Sequence, residues 1–130
     1  MRLVLDTHVW LWALLEPTRL SPEIRSALSA RDNQILLSAV SLWEVLNLAA
    51  KKRIAIDGDA TTWIVSRLRG SPVQVVALTQ EIVFAAHSLE MKHKDPADRW
   101  IVATARTQSA ALATVDRVLL AAKAVDVMLA

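Results

Sequence analysis

The chain contains no cysteine and only two glycines in 130 residues. The first absence excludes disulfides, cysteine-ligated zinc and a cysteine nucleophile, and it suits a reducing compartment. The second excludes a glycine-rich phosphate loop. Neither G-x-G-x-x-G nor the P-loop pattern occurs, so nucleotide binding of those kinds is not expected. No stretch approaches the ~20 apolar residues of a membrane helix. The opening Met1-Arg2-Leu3-Val4-Leu5-Asp6 meets charge at once and does not read as a secretory signal. Linkers, repeats and low-complexity tracts are also missing. Together these absences predict a single cytoplasmic domain over residues 1–130, with no membrane partner.

What is present is a globular composition, 54% apolar and 22% charged. A chain of this length buries roughly two thirds of the surface its unfolded form exposes, enough for a real core. The formal net charge of +2 permits nucleic-acid binding without requiring it. Lys51-Lys52-Arg53 is the one compact basic run, and its first reading is a solvated helix end whose cations complement the helix dipole.

Short β-rich runs alternate with longer helical ones. Strands are predicted at Arg2 to Leu5, Gln34 to Leu37, Val73 to Ala77 and Ala111 to Val115, with an edge strand at Val125 to Leu129. Thr7 to Leu15 reads as a very apolar helix, fully buried or part of a subunit contact. Ser21-Pro22-Glu23 starts a helix to about Ala30, with Ser as N-cap and Pro at the first position. Further helices are predicted from Ala39 to about Lys52, Ala60 to Arg69, Thr79 (as cap) to Leu89, Ala97 to about Gln108, and Arg117 to Lys123. A charged loop spans Met91 to Lys94. This alternation implies crossovers and an α/β fold with a parallel sheet covered on both faces.

In such a sheet, ligands bind beyond the carboxyl ends of the strands. Asp6 follows the first strand directly. Glu44 lies in the first two turns after the second. Asp95 and Asp98 open a helix after the third strand and its crossover, and Asp116 follows the fourth. Four segments therefore bring carboxylates to one edge. Clustered carboxylates raise one another's pKa unless a cation neutralises them. Hard oxygen donors without cysteine or paired histidine suit Mg²⁺ or Mn²⁺. The chemistry that fits is phosphodiester hydrolysis, in which the metal activates water and stabilises the leaving oxygen.

Each acid also has a plain structural reading. Asp95-Pro96-Ala97-Asp98 is first of all a helix start, with Asp as N-cap and a second Asp in the first turn. Ser41-Leu42-Trp43-Glu44 matches a capping box, but Ser38 is the more natural cap, which places Glu44 inside the helix and free to face the edge. Asp116 can cap the short helix behind it. Asp6 is hardest to explain away, because a strand-to-helix turn does not require Asp over Ser or Thr. Arg99 can pair with an acid, with phosphate, or with water. Trp12, Trp43 and Trp100 read as core, and Trp10 and Trp63 as candidates for a surface, an interface or a groove. His8 is the histidine nearest the proposed site. His87 reads as structural and His93 as solvated.

Three blocks resemble signature segments of PIN-domain proteins: Leu5-Asp6-Thr7-His8-Val9-Trp10-Leu11-Trp12, Ser38-Ala39-Val40-Ser41-Leu42-Trp43-Glu44, and His93-Lys94-Asp95-Pro96-Ala97-Asp98-Arg99-Trp100-Ile101-Val102-Ala103-Thr104-Ala105. Thr114-Val115-Asp116-Arg117 is similar to a fourth. The nearest branch looks like the VapC-like toxin ribonucleases of type II toxin–antitoxin pairs. The resemblance runs in order along essentially the whole chain. It implies a PIN-like three-layer sandwich with a parallel sheet of four to five strands flanked by helices. It also implies Mg²⁺- or Mn²⁺-dependent endoribonuclease activity, a homodimer, and a complex with a small antitoxin protein. The family's catalytic and metal-binding acids carry over to Asp6, Glu44, Asp98 and Asp116. Thr7, Ser41, Asp95 and Arg99 are candidates for contacts to those ligands or to an RNA phosphate. One departure stands out. Related sequences often place Lys one turn after the Glu and then a Gly-containing turn, whereas this chain has Leu48 and Lys51-Lys52-Arg53-Ile54.

Two other readings compete. A phosphatase with Asp6 as nucleophile would want a second Asp two residues on, where His8 stands. A PIN-like module that binds RNA or protein without cutting would have no use for clustered negative charge.

Overall fold

The computed structural model describes residues 1–91, 95–121 and 125–130. His93, the end of the charged loop expected to reach Lys94, and the end of the last helix expected at Lys123 lie outside them. The strands are β1 (Arg2–Leu5), β2 (Gln34–Ser38), β3 (Val73–Val76), β4 (Ala111–Thr114) and β5 (Val127–Leu129). The helices are α1 (Thr7–Leu15), α2 (Pro22–Ser29), α3 (Ala39–Ala50), α4 (Ala60–Leu68), α5 (Gln80–Ser88), α6 (Pro96–Thr107) and α7 (Arg117–Ala121). A 3-10 turn at Pro17–Arg19, not foreseen from the sequence, joins α1 to α2.

All strand pairs are parallel, in the order β3-β2-β1-β4-β5. β1 is central, with Leu3 opposite Ile35 on one side and Ala111 on the other. Because successive strand residues face opposite ways, the sheet feeds two cores. Leu3, Leu5, Ile35, Leu37 and Ala113 pack with Val9, Trp10 and Leu11 of α1, Ile24 of α2, Val45 of α3 and Ile64 of α4. Val4, Leu36 and Leu112 pack with Ile82 and Ala86 of α5, Ile101, Val102 and Ala105 of α6, and Leu119 of α7. Helices thus cover both faces, giving the three layers expected for strands that read as near-continuous apolar runs. Among the described residues, no helix is long and apolar enough to cross a membrane.

Two tryptophans reverse their expected places. Trp10 is 2% exposed, whereas Trp43 is 65% exposed. Helical geometry explains the second. The buried residues of α3 are Val40, Ser41 and Val45, and Trp43 lies about 160° around the helix from both Ser41 and Val45, past the Val40 edge of the buried stripe. Trp10 is buried because α1 lies with Thr7, Val9, Trp10 and Leu11 all inside.

The helix ends follow local rules. Ser21, Ser38, Asp59, Thr79 and Asp95 each cap a helix through a side-chain oxygen, satisfying an otherwise orphaned N–H. At the end of α3, Lys52 N–H donates to Ala49 O at 3.0 Å and Arg53 N–H to Leu48 O at 2.9 Å. This is the Schellman pattern, and it sets Lys52 at φ +56°, a region where a Cβ costs roughly 1–2 kcal/mol. This is the turn where the glycine of related sequences is missing. Allowing for glycine's larger entropy loss on folding, Lys52→Gly is expected to stabilise the fold by about 0.5–1 kcal/mol. Urea unfolding checks it: the midpoint should rise with the slope unchanged, and an unchanged or lower midpoint would count against the strained-cap account.

Candidate active site

The C-terminal edge of the sheet gathers the polar residues. Asp6 leaves β1, and its N–H extends the β1–β4 ladder by donating to Ala113 O at 2.9 Å. Its side chain is 7% exposed and caps α1, with Oδ1 accepting from the Thr7 N–H at 2.8 Å. Oδ2 accepts from the Thr114 hydroxyl at 2.7 Å. Each carboxylate oxygen keeps a lone-pair site beyond these bonds. Burial of a charge is tolerable only with such partners, and here both are neutral.

Thr7 sits between two elements. Its Oγ1 lies 2.6 Å from Glu44 Oε1 and 2.9 Å from Ser41 Oγ. Thr7 has one hydroxyl proton; directed at Glu44, it leaves the Thr7 lone pairs to accept from Ser41. Ser38, not Ser41, caps α3, accepting from the Val40 N–H at 3.2 Å. The capping-box alternative is therefore not used. Ser41 is fully buried, and Glu44 sits inside the helix facing the edge.

Burial is the main cause that lifts the Glu44 carboxyl above its ordinary value, opposed by the Thr7 hydrogen bond. Repulsion from Asp6 and Asp95 adds to the rise, and His8 lessens it. These couplings bring Asp6, Glu44, Asp95 and His8 into one electrostatic neighbourhood. Asp95 is both a cap, accepting from the Ala97 N–H at 3.0 Å, and a neighbour of Glu44. Asp98 is half-buried in the first turn of α6. Asp116 is half-buried after β4, where its N–H donates to Thr114 Oγ1 at 3.0 Å and its Oδ1 caps the Val118 N–H at 2.8 Å. The capping alternative for Asp116 is thus realised.

Thr114 is a site residue that the sequence reading missed. It is 0% exposed and ties Asp6 to the Asp116 turn through one hydroxyl. Its signal is a hydroxyl ending a buried strand two residues before an acid. Arg99 makes backbone contacts that its sequence neighbours do not reveal. Its guanidinium donates to the carbonyls of Ala86, His87, Leu89 and Met91. Beside the acids, Trp43 and Trp100 line an apolar groove of about 470 Å³ with Val40, Leu78, Asp95 and Pro96. A second cleft, about 550 Å³, runs from His8 past Trp12 to Arg19 and Arg53.

The donors at the edge are oxygen atoms of carboxylates and hydroxyls, which suit a hard divalent cation rather than zinc. Among the described residues, no three acidic or histidine side chains form a ready cage.

Three comparisons with known proteins bear on this edge. Residues 3–125 match the family model described as PIN domain. Ribonuclease VapC22 of Mycobacterium tuberculosis (strain ATCC 25618 / H37Rv) is 33% identical over 115 residues, covering 88% of this chain and 86% of that protein. The fold is similar to that in a crystal structure of VapBC2 from Rickettsia felis bound to a promoter DNA fragment, with a TM-score of 0.74 at 16% identity over 98% of both chains. It is also similar to that in a toxin-antitoxin complex from Klebsiella pneumoniae, with a TM-score of 0.67 at 22% identity over 97% of this chain and 95% of that one.

The Glu44 geometry predicts a pH signature. A carboxyl whose folded pKa is raised binds its proton more tightly in the folded state. Stability is then lost as pH rises from the ordinary value of 4.5 through the folded value, and the cost persists at neutral pH. Glu44→Gln removes the charge while Oε1 can still accept from Thr7. In chelator at pH 7 the variant is expected to melt above wild type, and the gap should shrink toward pH 4. A variant melting below wild type at pH 7 would contradict the burial account.

Proposed function

The chain belongs to the PIN-domain family, and from that premise we propose that it is a ribonuclease toxin whose acids at the strand edge cut RNA with a divalent cation. The observation that carries this reading is the pair formed by buried Asp6 and half-buried Glu44, held on either side of Thr7 by neutral donors. Among the described residues, both acids are hydrogen-bonded by neutral donors alone, and a cation would offset the repulsion between them.

In this reading Asp6 and Glu44 hold Mg²⁺ or Mn²⁺, with Asp98 and Asp116 completing or supporting the site. The bound cation supplies Lewis acidity toward a phosphoryl oxygen and lowers the pKa of water. The chain's own residues do the rest. Thr7 fixes the Glu44 carboxylate, and Thr114 fixes Asp6. Asp95, at the mouth of the aromatic groove, adds negative potential that favours cation over bare phosphate. No serine, cysteine or histidine nucleophile is required.

The named relative is a ribonuclease, and the similar folds come from toxin–antitoxin assemblies. These likenesses support the proposal of a ribonuclease of the toxin class with a protein antitoxin as its partner. Endonucleolytic cutting of internal phosphodiesters, action in the cytoplasm and assembly as a homodimer belong to the same proposal.

The test is cleavage of a defined single-stranded RNA, blocked at both ends, with Mg²⁺, Mn²⁺ or EDTA. Cutting should require the cation. Asp6→Asn and Asp98→Asn should each lower kcat/KM at least about 100-fold, the loss expected when a few kcal/mol of transition-state stabilisation depends on the ion. Undiminished cleavage in EDTA, or by Asp6→Asn in Mg²⁺, would defeat the metal-dependent reading. RNA binding without Mn²⁺ binding would favour an inactive module.

A further inference from the structure

Arg99 follows Asp98 in the first turn of α6, and its side chain is turned toward α5. Nε donates to Ala86 O at 3.1 Å, Nη1 to Met91 O at 3.3 Å, and Nη2 to Leu89 O at 2.7 Å and His87 O at 3.4 Å. These carbonyls belong to the last turn of α5 and the chain just after it. A helix C-terminus has orphan carbonyls and carries the negative end of the macrodipole. The Arg99 N–H meanwhile donates to Asp95 O at 3.3 Å, closing the first turn of α6. One residue therefore locks that turn internally and fastens it to the neighbouring helix.

That turn carries Asp95 and Asp98, and Asp95 acts on Glu44 across the edge. The α5 carbonyls would otherwise present further partial negative charge beside it. A planar guanidinium can serve four carbonyls at once while screening them; an ammonium is a point charge with three donors and cannot reproduce the fork.

From this geometry we infer that Arg99 is a positioning residue, which clamps the acid-bearing turn of α6 to the end of α5 and so sets the acids of that turn for cation binding. The inference rests on the metal-nuclease reading above. It differs from a phosphate contact, which would act on RNA rather than on the ion.

The test compares wild type with Arg99→Lys and Arg99→Met, and with Ile82→Val as a control. Ile82 is 2% exposed in the same α5–α6 core, so its trimming loosens packing without touching the clamp. Mn²⁺ binding is measured by calorimetry on the full chain without RNA, and cleavage is titrated against Mn²⁺. Both Arg99 variants should bind Mn²⁺ on the order of 10-fold more weakly, the usual scale for losing a residue that orients ligands. Arg99→Lys should lose less than Arg99→Met. Saturating Mn²⁺ should restore most of kcat, with KM for RNA within about twofold of wild type. Ile82→Val should melt earlier and bind Mn²⁺ like wild type. If Arg99→Met does not fold, Arg99→Lys alone carries the comparison. Unaltered Mn²⁺ binding in Arg99→Lys overturns the inference, as does a raised KM for RNA at unchanged Mn²⁺ affinity, which marks a phosphate contact. Equal Mn²⁺ losses in Ile82→Val and the Arg99 variants overturn it as well, by showing that any loosening of this core suffices. Wild-type protein that binds no Mn²⁺ removes both this inference and the nuclease reading, whereas wild-type binding with unaltered variants removes this one alone.

Discussion

Holding like charges together at the end of a sheet is the constraint that organises the rest of the molecule. Asp6 is 7% exposed, so its charge has lost most of its water. An unpaired carboxylate in that position would be very costly. The fold offsets the loss with the Thr7 N–H and the Thr114 hydroxyl, and Thr7 extends the arrangement to Glu44. Among the described residues, the hydrogen-bond partners of Asp6 and Glu44 are neutral. This choice has a functional side. An arginine or lysine in their place would satisfy the carboxylates more strongly, and it would also cancel the negative field that attracts a cation.

The sheet is what makes such an arrangement possible from distant parts of the chain. Asp6 and Thr114 are 108 residues apart in sequence and meet because β1 and β4 pair in parallel. The pairing is in turn fixed by side chains: a slip of one residue would exchange Leu3 and Leu5 with Val4 between two differently shaped cores. Packing and chemistry are therefore coupled at β1. The strand that seats Leu3, Val4 and Leu5 also decides where Asp6 stands.

Much of this is legible in the order of the residues alone. The strands are short apolar runs closed by turn residues, and each observed strand begins or ends within two residues of its expected place. Asp6, Glu44 and Asp116 can be assigned to one edge because parallel sheets put every strand's carboxyl end on the same side. What escapes depends on relations between elements. Trp10 and Trp43 both sit in apolar helices, and composition cannot say which face of a uniformly apolar helix turns inward. Thr114 looks like an ordinary strand residue until the β1–β4 pairing brings it to Asp6. Arg99 carries several local readings, an acid, phosphate or solvent, because the carbonyls it meets lie at the end of α5 and just after it and come into reach only when α5 and α6 pack. Lys52 stands where related sequences turn through glycine, yet only the backbone shows that its φ is positive.

The acids also share a feature that none shows alone: most lie at or near the start of a helix. Asp6 caps α1, Asp95 caps α6 with Asp98 in its first turn, and Asp116 accepts from Val118 N–H at the start of α7. Helix N-termini carry partial positive charge, worth about 0.3–1 kcal/mol to a nearby anion. Several such ends directed at one edge reduce the repulsion without supplying a mobile counter-ion. The sum is modest beside the energy of a divalent cation in a low-dielectric site, so the edge can form while still gaining from a cation. Glu44 marks the remainder. It lies deeper in α3 and caps no helix itself, although its carboxylate meets Thr7 at the start of α1, and burial holds its carboxyl above its ordinary value. The helix ends make the cluster foldable, and Glu44, whose burial outweighs its Thr7 hydrogen bond, keeps it in need of positive charge.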